Sequence, residues 1–205
     1  MKTLKTILFI SLLISSSQAF YELDGQFSYD KKTYGTERQN KSTSRAYFVS
    51  FASYFFSLTA LEFNYSTSKD IETNNTETKL TGTDFTRVSE QSNVESEYFG
   101  IGLRQAFAGK DSFLIPTLSL GYARQFATYY SSQTYRNDTG GADIFIEGEK
   151  VKTREDSIFG TFSLKLKLTK LLSITGSIKT LFPADDFNKA KDYIKYTAGF
   201  TWMFQ

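Results

Sequence analysis

The chain has 205 residues, no cysteine, no histidine and only two prolines. Without cysteine there are no disulfides, no thiol chemistry, no cysteine-based metal site and no lipid-bearing N-terminal cysteine. Long apolar runs are missing as well. None reaches the roughly 20 residues that a membrane-spanning helix needs, and the mean hydropathy is low. A helical membrane protein is therefore excluded. An excess of charge is also absent once the first residues are set aside. Residues 1–19 carry Lys2 and Lys5, then an apolar run over residues 7–14, then Ser17-Gln18-Ala19. That order is a secretory signal peptide, with cleavage expected between Ala19 and Phe20. Its removal takes away two lysines and no acid, so the 24 basic and 22 acidic residues of the whole chain become equal in number. No basic patch remains to favour nucleic acid.

What is present is period-two alternation, repeated along residues 20–205. The last stretch shows it best. Ile194, Tyr196, Ala198, Phe200, Trp202 and Phe204 alternate with Lys195, Thr197, Gly199, Thr201 and Met203, which predicts a strand with one apolar face. Residues 21–30 form a first strand, with Tyr21, Leu23, Phe27 and Tyr29 opposite Glu22, Asp24, Gln26 and Asp30. A second, over 45–55, gathers Tyr47, Val49, Phe51 and Phe55. A third sets Leu61, Phe63 and Tyr65 against Glu62, Asn64 and Ser66. The fourth carries Phe99, Ile101, Leu103 and Phe107, and the fifth Leu118, Leu120, Tyr122 and Phe126. In the sixth, Ile158, Phe162, Leu164, Leu166 and Leu168 alternate with Phe159, Thr161, Ser163, Lys165 and Lys167. The seventh has Leu172, Ile174 and Ile178 against Ser173, Thr175, Ser177 and Lys179.

The connections alternate too. Tight turns are expected after strands two, four (residues 108–112) and six (169–170). Longer polar segments follow the others, chiefly 67–93, whose period-two remnants predict that strands three and four extend past the membrane to a mobile tip near Asn74-Asn75, then 131–156 with a turn at 137–141, and 183–191. Eight strands, antiparallel neighbours and long loops at one end give the expected fold class, an all-β, eight-stranded, antiparallel up-and-down transmembrane barrel. Each apolar band has about the 9–11 residues a tilted crossing strand requires.

Periodicity does not say which face looks out, because a soluble barrel of the lipocalin kind buries its apolar face around a ligand. Three features favour apolar-out. The apolar side is too bulky for a small barrel interior. The opposite side is rich in Gly, Ala, Ser and Thr. Aromatics gather near both strand ends, with Phe55, Phe56, Phe107, Phe113, Trp202 and Phe204 by the short turns and Tyr29, Tyr47, Tyr65, Tyr129 and Tyr130 toward the long loops.

On these residues the chain resembles the small outer-membrane β-barrel proteins, the group that includes the membrane domain of outer-membrane protein A and the outer-membrane protein W and X types. The resemblance is one of pattern across residues 20–205. It implies residence in a bacterial outer membrane, with both termini periplasmic and the long loops outside, among outer-membrane lipid and lipopolysaccharide. Residues 196–204 are similar to the C-terminal signal read by the barrel-assembly machinery, with Tyr196, Phe200, Trp202 and Phe204 as its apolar positions. That signal commonly ends in Phe, whereas Gln205 follows Phe204 here. Enzymes of this architecture rely on a catalytic histidine, which this chain lacks, so the resemblance implies no enzyme.

With the apolar face out, the inward charges are Glu22, Asp24, Asp30, Glu62, Arg104, Lys165, Lys167, Lys179 and Lys195. Charges of both signs in a narrow lumen are expected to pair across strands, Glu62 with Arg104, and Asp30 with Lys195 where first and last strands meet. Arg124 shares parity with the apolar face of its strand. It is expected either to reach a lipopolysaccharide phosphate from the rim or to turn inward at a bulge. Ser163 near Lys165 is a strand neighbour more than a catalytic pair, and Gly100-x-Gly102 marks close packing. Asp185-Asp186 and Glu147 with Glu149 are weak cation candidates. Lys31, Lys32, Arg38, Lys41 and Arg45, with Lys150, Lys152 and Arg154, could meet lipopolysaccharide phosphates or only solvent. No cofactor or metal is expected. The expected role is a monomeric, non-enzymatic outer-membrane protein that reinforces the membrane and displays loops for interaction or adhesion. A small-solute or hydrophobic-compound conduit is the alternative, and a lipid-modifying enzyme a remote one.

Overall fold

The computed structural model describes residues 20–35, 38–184 and 193–204. The expected signal peptide, the Asp185-Asp186 pair and Gln205 lie outside them. The strands are β1 (Tyr21–Tyr34), β2 (Asn40–Tyr54), β3 (Thr59–Asn74), β4 (Thr78–Lys79), β5 (Phe85–Ala106), β6 (Leu114–Asn137), β7 (Ile144–Glu147), β8 (Val151–Lys167), β9 (Leu172–Pro183) and β10 (Lys195–Phe204). Eight of these form the wall. Each pairs antiparallel with the next, in the order β1, β2, β3, β5, β6, β8, β9, β10. The ring shuts where β10 returns to β1, from Tyr21↔Phe204 to Phe27↔Ala198. The short β4 and β7 add to the far ends of β5 and β6.

The wall is inside-out relative to a water-soluble protein. On β9, Ile174 and Ile178 are each 44% exposed, whereas Ser173 and Thr175 are fully buried. The same alternation runs round the ring, with Leu103, Leu120, Phe162, Phe200 and Trp202 all exposed. Soluble proteins rarely show a contiguous apolar patch beyond a few hundred Å². A closed sheet has no edge left to bury such a belt in another chain, so its matching solvent is hydrocarbon. Near the short turns, Phe56, Phe107, Phe113 and Trp202 are exposed, and Tyr29, Tyr47 and Phe99 are exposed farther along the strands. Tyr129 is a correction to the second group, because its side chain lines the lumen.

Two differences from the sequence reading concern length and bulk. β5 has 22 residues and β6 has 24, so β6 alone is ~80 Å long at ~3.3 Å per residue, far more than a membrane crossing takes. The strands bounding 67–93 extend as expected, and the tract 131–156, expected as a loop, is largely sheet as well. The tip expected to be mobile near Asn74-Asn75 is tied down. Asn75 N donates to Asn40 Oδ1 (2.9 Å), and Asn75 Nδ2 donates to the Gln39 carbonyl (3.0 Å). Farther out, Arg136 holds Glu77 at 2.9 Å. That hydrogen bond, with the guanidinium charge, keeps the Glu77 carboxyl below its ordinary value.

The lumen is also fuller than small residues alone would make it. Phe48, Tyr54, Tyr98 and Phe159 all point in and are buried. Phe159 fits because Gly102 and Gly121 beside it have no side chains. A Cβ on Gly102 would fall 2.7 Å from its Cζ, and one on Gly121 2.5 Å from its Cε1. Arg124 faces outward in unbroken register, opposite Asp156, with Nε donating to Asp156 Oδ1 at 3.0 Å. No bulge turns it inward.

Leu164 lies mid-way along the outward apolar run of β8 and is 43% exposed. Leu164→Arg is expected to destabilise the folded barrel by about 2–4 kcal/mol, the cost of a cation at mid-membrane. Denaturant unfolding in lipid bilayers checks this. Unchanged stability would mean that the outward face does not meet lipid.

Candidate functional site

The lumen is filled in layers. At the short-turn end, Phe20 stacks on Tyr54 with ring centroids 4.0 Å apart, and Ala52, Ala106, Ile115 and Met203 complete an apolar stopper. Above it sits a charge cluster. Above that, Phe48, Tyr98, Ala123 and Phe159 pack with Leu181.

Arg104 on β5 is the centre of the cluster. Its Nε donates to Glu62 Oε2 at 2.9 Å and its Nη2 to Glu62 Oε1 at 2.8 Å, a two-pronged grip between neighbouring strands. Nη1 donates to Glu22 Oε2 at 2.8 Å. Nη2 also lies 2.6 Å from Asp24 Oδ2 and 2.9 Å from Ser50 Oγ. Lys165 Nζ donates to Glu22 Oε2 from the opposite wall. Tyr54 Oη donates to Glu22 Oε2 at 3.0 Å, Ser50 Oγ to Asp24 Oδ2 at 2.9 Å, and Thr201 Oγ1 to Asp24 Oδ1. The side chains of Arg104, Glu22, Asp24, Glu62 and Lys165 are all buried. Strand parity explains the convergence. Each is an inward residue near the short-turn end of its strand, and closure brings the acids of β1 and β3 within reach of the β5 guanidinium and Glu22 within reach of Lys165 on β8.

The other inward charges go elsewhere. Lys167 reaches the Lys110 carbonyl and, at 3.6 Å, Asp111 in the turn at the short-turn mouth. Lys179 is buried above the cluster, its Nζ 4.6 Å from the Phe48 ring centroid. Asp30 and Lys195 do not pair, which corrects the expectation drawn from strand closure. The β1–β10 ladder ends at Phe27↔Ala198. Above that point the strands part, so Asp30 is exposed and meets Lys32 at 2.9 Å, while Lys195 lies 3.6 Å from Asp70 on β3. Attention to charge alone missed Ser50, Tyr54 and Thr201. Their signal was inward parity beside the acids.

Ser163 accepts a hydrogen bond from Ser177 at 2.8 Å, and the Lys165 ammonium is spent on Glu22. The two make no nucleophile and base pair. Glu147 ends β7 and Glu149 follows it, both exposed, and among the described residues no group of three or more carboxylates could hold a metal ion. The residues offered for assembly, Tyr196, Phe200, Trp202 and Phe204, share the outer face of β10.

No family model matches the chain, and no curated protein is detectably similar to it. Solved structures are. The N-terminal β-barrel domain of Pseudomonas aeruginosa OprF matches with a TM-score of 0.52 and 12% identity, over 91% of this chain and 97% of that one. The outer membrane protein OprG of Pseudomonas aeruginosa matches with a TM-score of 0.51 and 11% identity, over 91% and 96%. The fold is that of a small outer-membrane β-barrel. At such identity the likeness speaks for backbone architecture, and the contents of the lumen have to be read from this chain's own residues.

Replacing Arg104 by Met leaves three buried carboxylates facing only Lys165. Breaking a buried network by removing one partner costs roughly 3–5 kcal/mol. Arg104→Met is thus expected to lose about that much stability in denaturant titration of the lipid-embedded barrel. Adding Glu62→Gln should recover part of the loss. A neutral Arg104→Met would show that the cluster is hydrated rather than tightly paired.

Proposed function

We propose that this is a non-enzymatic integral protein of a bacterial outer membrane. It serves as a closed, membrane-reinforcing barrel whose tall β5–β6 wall presents a sheet and loops to the exterior. The carrying observation is the pairing of an apolar outer belt with a lumen stopped at three levels. The belt supports a lipid environment, and the stopper, the Arg104 cluster and the Phe159 layer argue against through-transport. The short turns, closed by backbone bonds such as Phe55 N to Thr59 O at 3.2 Å, suit a periplasmic side reached first in assembly. The extensions beyond the belt are mostly polar, with Ile144, Phe145 and Ile146 of β7 exposed among them, and loops on a rigid scaffold are where binding residues concentrate. Interaction with a surface outside the cell is the use that fits them. A lipid-modifying enzyme finds no support, since the chain has no histidine and Ser163 has no base beside it.

Reconstitution into planar bilayers is expected to give no reproducible unitary conductance steps, whereas regular steps would favour a conduit. Outer-membrane fractionation and slower migration after boiling on a detergent gel are expected of the folded barrel. Protease added to intact cells should cut within residues 138–150 or 80–84 and spare 108–112. Cutting at 108–112 in intact cells would reverse the proposed orientation.

A further inference from the structure

Above the Phe48–Tyr98–Phe159 layer the lumen widens into a cavity of about 360 Å³ that opens at the long-loop end. Its wall has two characters. Phe48, Tyr98, Tyr129, Tyr193 and Leu181 supply aromatic and aliphatic surface, and serines of β3 and β5 with Gln125 supply hydrogen-bonding groups. Two lysines, Lys179 and Lys195, face one carboxylate, Asp70. Asp70 lies 3.6 Å from Lys195, so the rim charge is answered locally.

Lys179 is different. Only 7% of it is exposed, it lines this cavity, and Lys195 stands opposite it in the β9–β10 ladder. Among the described residues no carboxylate lies within salt-bridge distance of its ammonium. The Phe48 ring beneath, 4.6 Å away, offers a cation–π contact, which satisfies charge in part and donors not at all. An ammonium has three N–H donors. The carboxylates of the Arg104 cluster balance its charge from below at longer range, but they are engaged by Arg104, Lys165, Tyr54 and Thr201. A donor without a partner lies close by. Asn64 Nδ2 is buried without an acceptor, one inward step below the cavity-lining Ser66 on β3.

We infer that this cavity is a binding site for a small organic anion with an apolar body, such as an aromatic or short aliphatic carboxylate. The anionic group accepts from Lys179, and the body packs among Phe48, Tyr98, Tyr129 and Leu181. The volume is at the small end of ligand pockets, about 300–1,000 Å³. A blind-ended pocket above a sealed lumen holds a ligand rather than passing it. This site goes beyond the role given to the loops and does not depend on what they contact. A barrel that failed to conduct or to adhere would leave it unaffected.

The test uses the full barrel in nanodiscs of zwitterionic lipid, with empty nanodiscs to subtract partitioning. Calorimetric titration compares benzoate, its neutral counterpart benzamide, and inorganic phosphate. Benzoate is expected to bind saturably, one per barrel. Benzamide and phosphate should each bind weaker by roughly tenfold or more, as for loss of a charge-assisted hydrogen bond or of the apolar body. Lys179→Met should weaken benzoate by roughly tenfold or more while leaving benzamide unchanged, and Lys179→Arg should retain benzoate binding. Each variant is first shown to be folded by its heat-dependent migration. Should Lys179→Met fail to fold, the three-probe comparison on the unaltered protein decides alone. Non-saturable benzoate uptake overturns the inference, as does equal affinity for benzamide, equal affinity for phosphate, or full benzoate affinity in folded Lys179→Met.

Discussion

Everything in this molecule follows from the need to leave no backbone donor or acceptor facing hydrocarbon. An unpaired N–H or C=O costs several kcal/mol where no water can reach it. A sheet meets that demand only by closing on itself, which makes the β1–β10 ladder, from Tyr21↔Phe204 to Phe27↔Ala198, the constraint on all the others. It is also the shortest part of the ring, since β10 has ten residues. Aromatic contacts reinforce its base, where Tyr21 lies between Phe51 and Phe204 with centroids 5.7 and 5.8 Å away. Once the seam is made, the eight-strand circumference sets a lumen only wide enough for side chains.

That narrowness decides the chemistry inside. Inward residues cannot all be apolar, because a β-strand greasy on both faces offers little to distinguish lumen from lipid. They also cannot be charged and single. The arrangement found here gathers the acids of β1 and β3 around one arginine and lets hydroxyls from β2 and β10 take the remaining lone pairs. Arg suits the centre better than Lys, since its planar fork reaches Glu22, Asp24 and Glu62 together. Lys165, with one partner, sits at the edge. The aromatic layer above then caps the cluster against water, and it fits only because Gly102 and Gly121 yield their side-chain space to Phe159.

The strand pattern was readable because a period of two is stringent. A slip of one residue would send Leu103 or Leu120 into the lumen and Arg104 or Ser119 into lipid. Parity therefore placed Glu22, Asp24, Glu62, Arg104 and Lys165 on inner faces. What parity lacks is height. Asp30 and Lys195 are in register by simple extension of the ladder, yet the ladder stops three residues short of Asp30, and each turns to another partner. Composition misled in the tract 131–156, and in the tip near Asn74-Asn75, for a related reason. Ser, Thr, Asn and Glu read as loop where no apolar face is needed, but a sheet wet on both sides needs only backbone pairing and cross-strand contacts. Ser68 with Ser96 at 2.8 Å and Lys69 with Glu95 at 2.7 Å are of that kind.

The uneven wall has a consequence for where recognition can occur. β5 and β6 run to 22 and 24 residues while β9 and β10 have 12 and 10. The high β5–β6 wall stands as a backing sheet. The cavity around Lys179 lies where the low strands end and the high ones continue, lined from β9 and β10 on one side and β3, β5 and β6 on the other. Side chains there are held by ladder on the tall side. The proposed anion site is thus a basin with a buried cation at its floor, above layers of packed side chains.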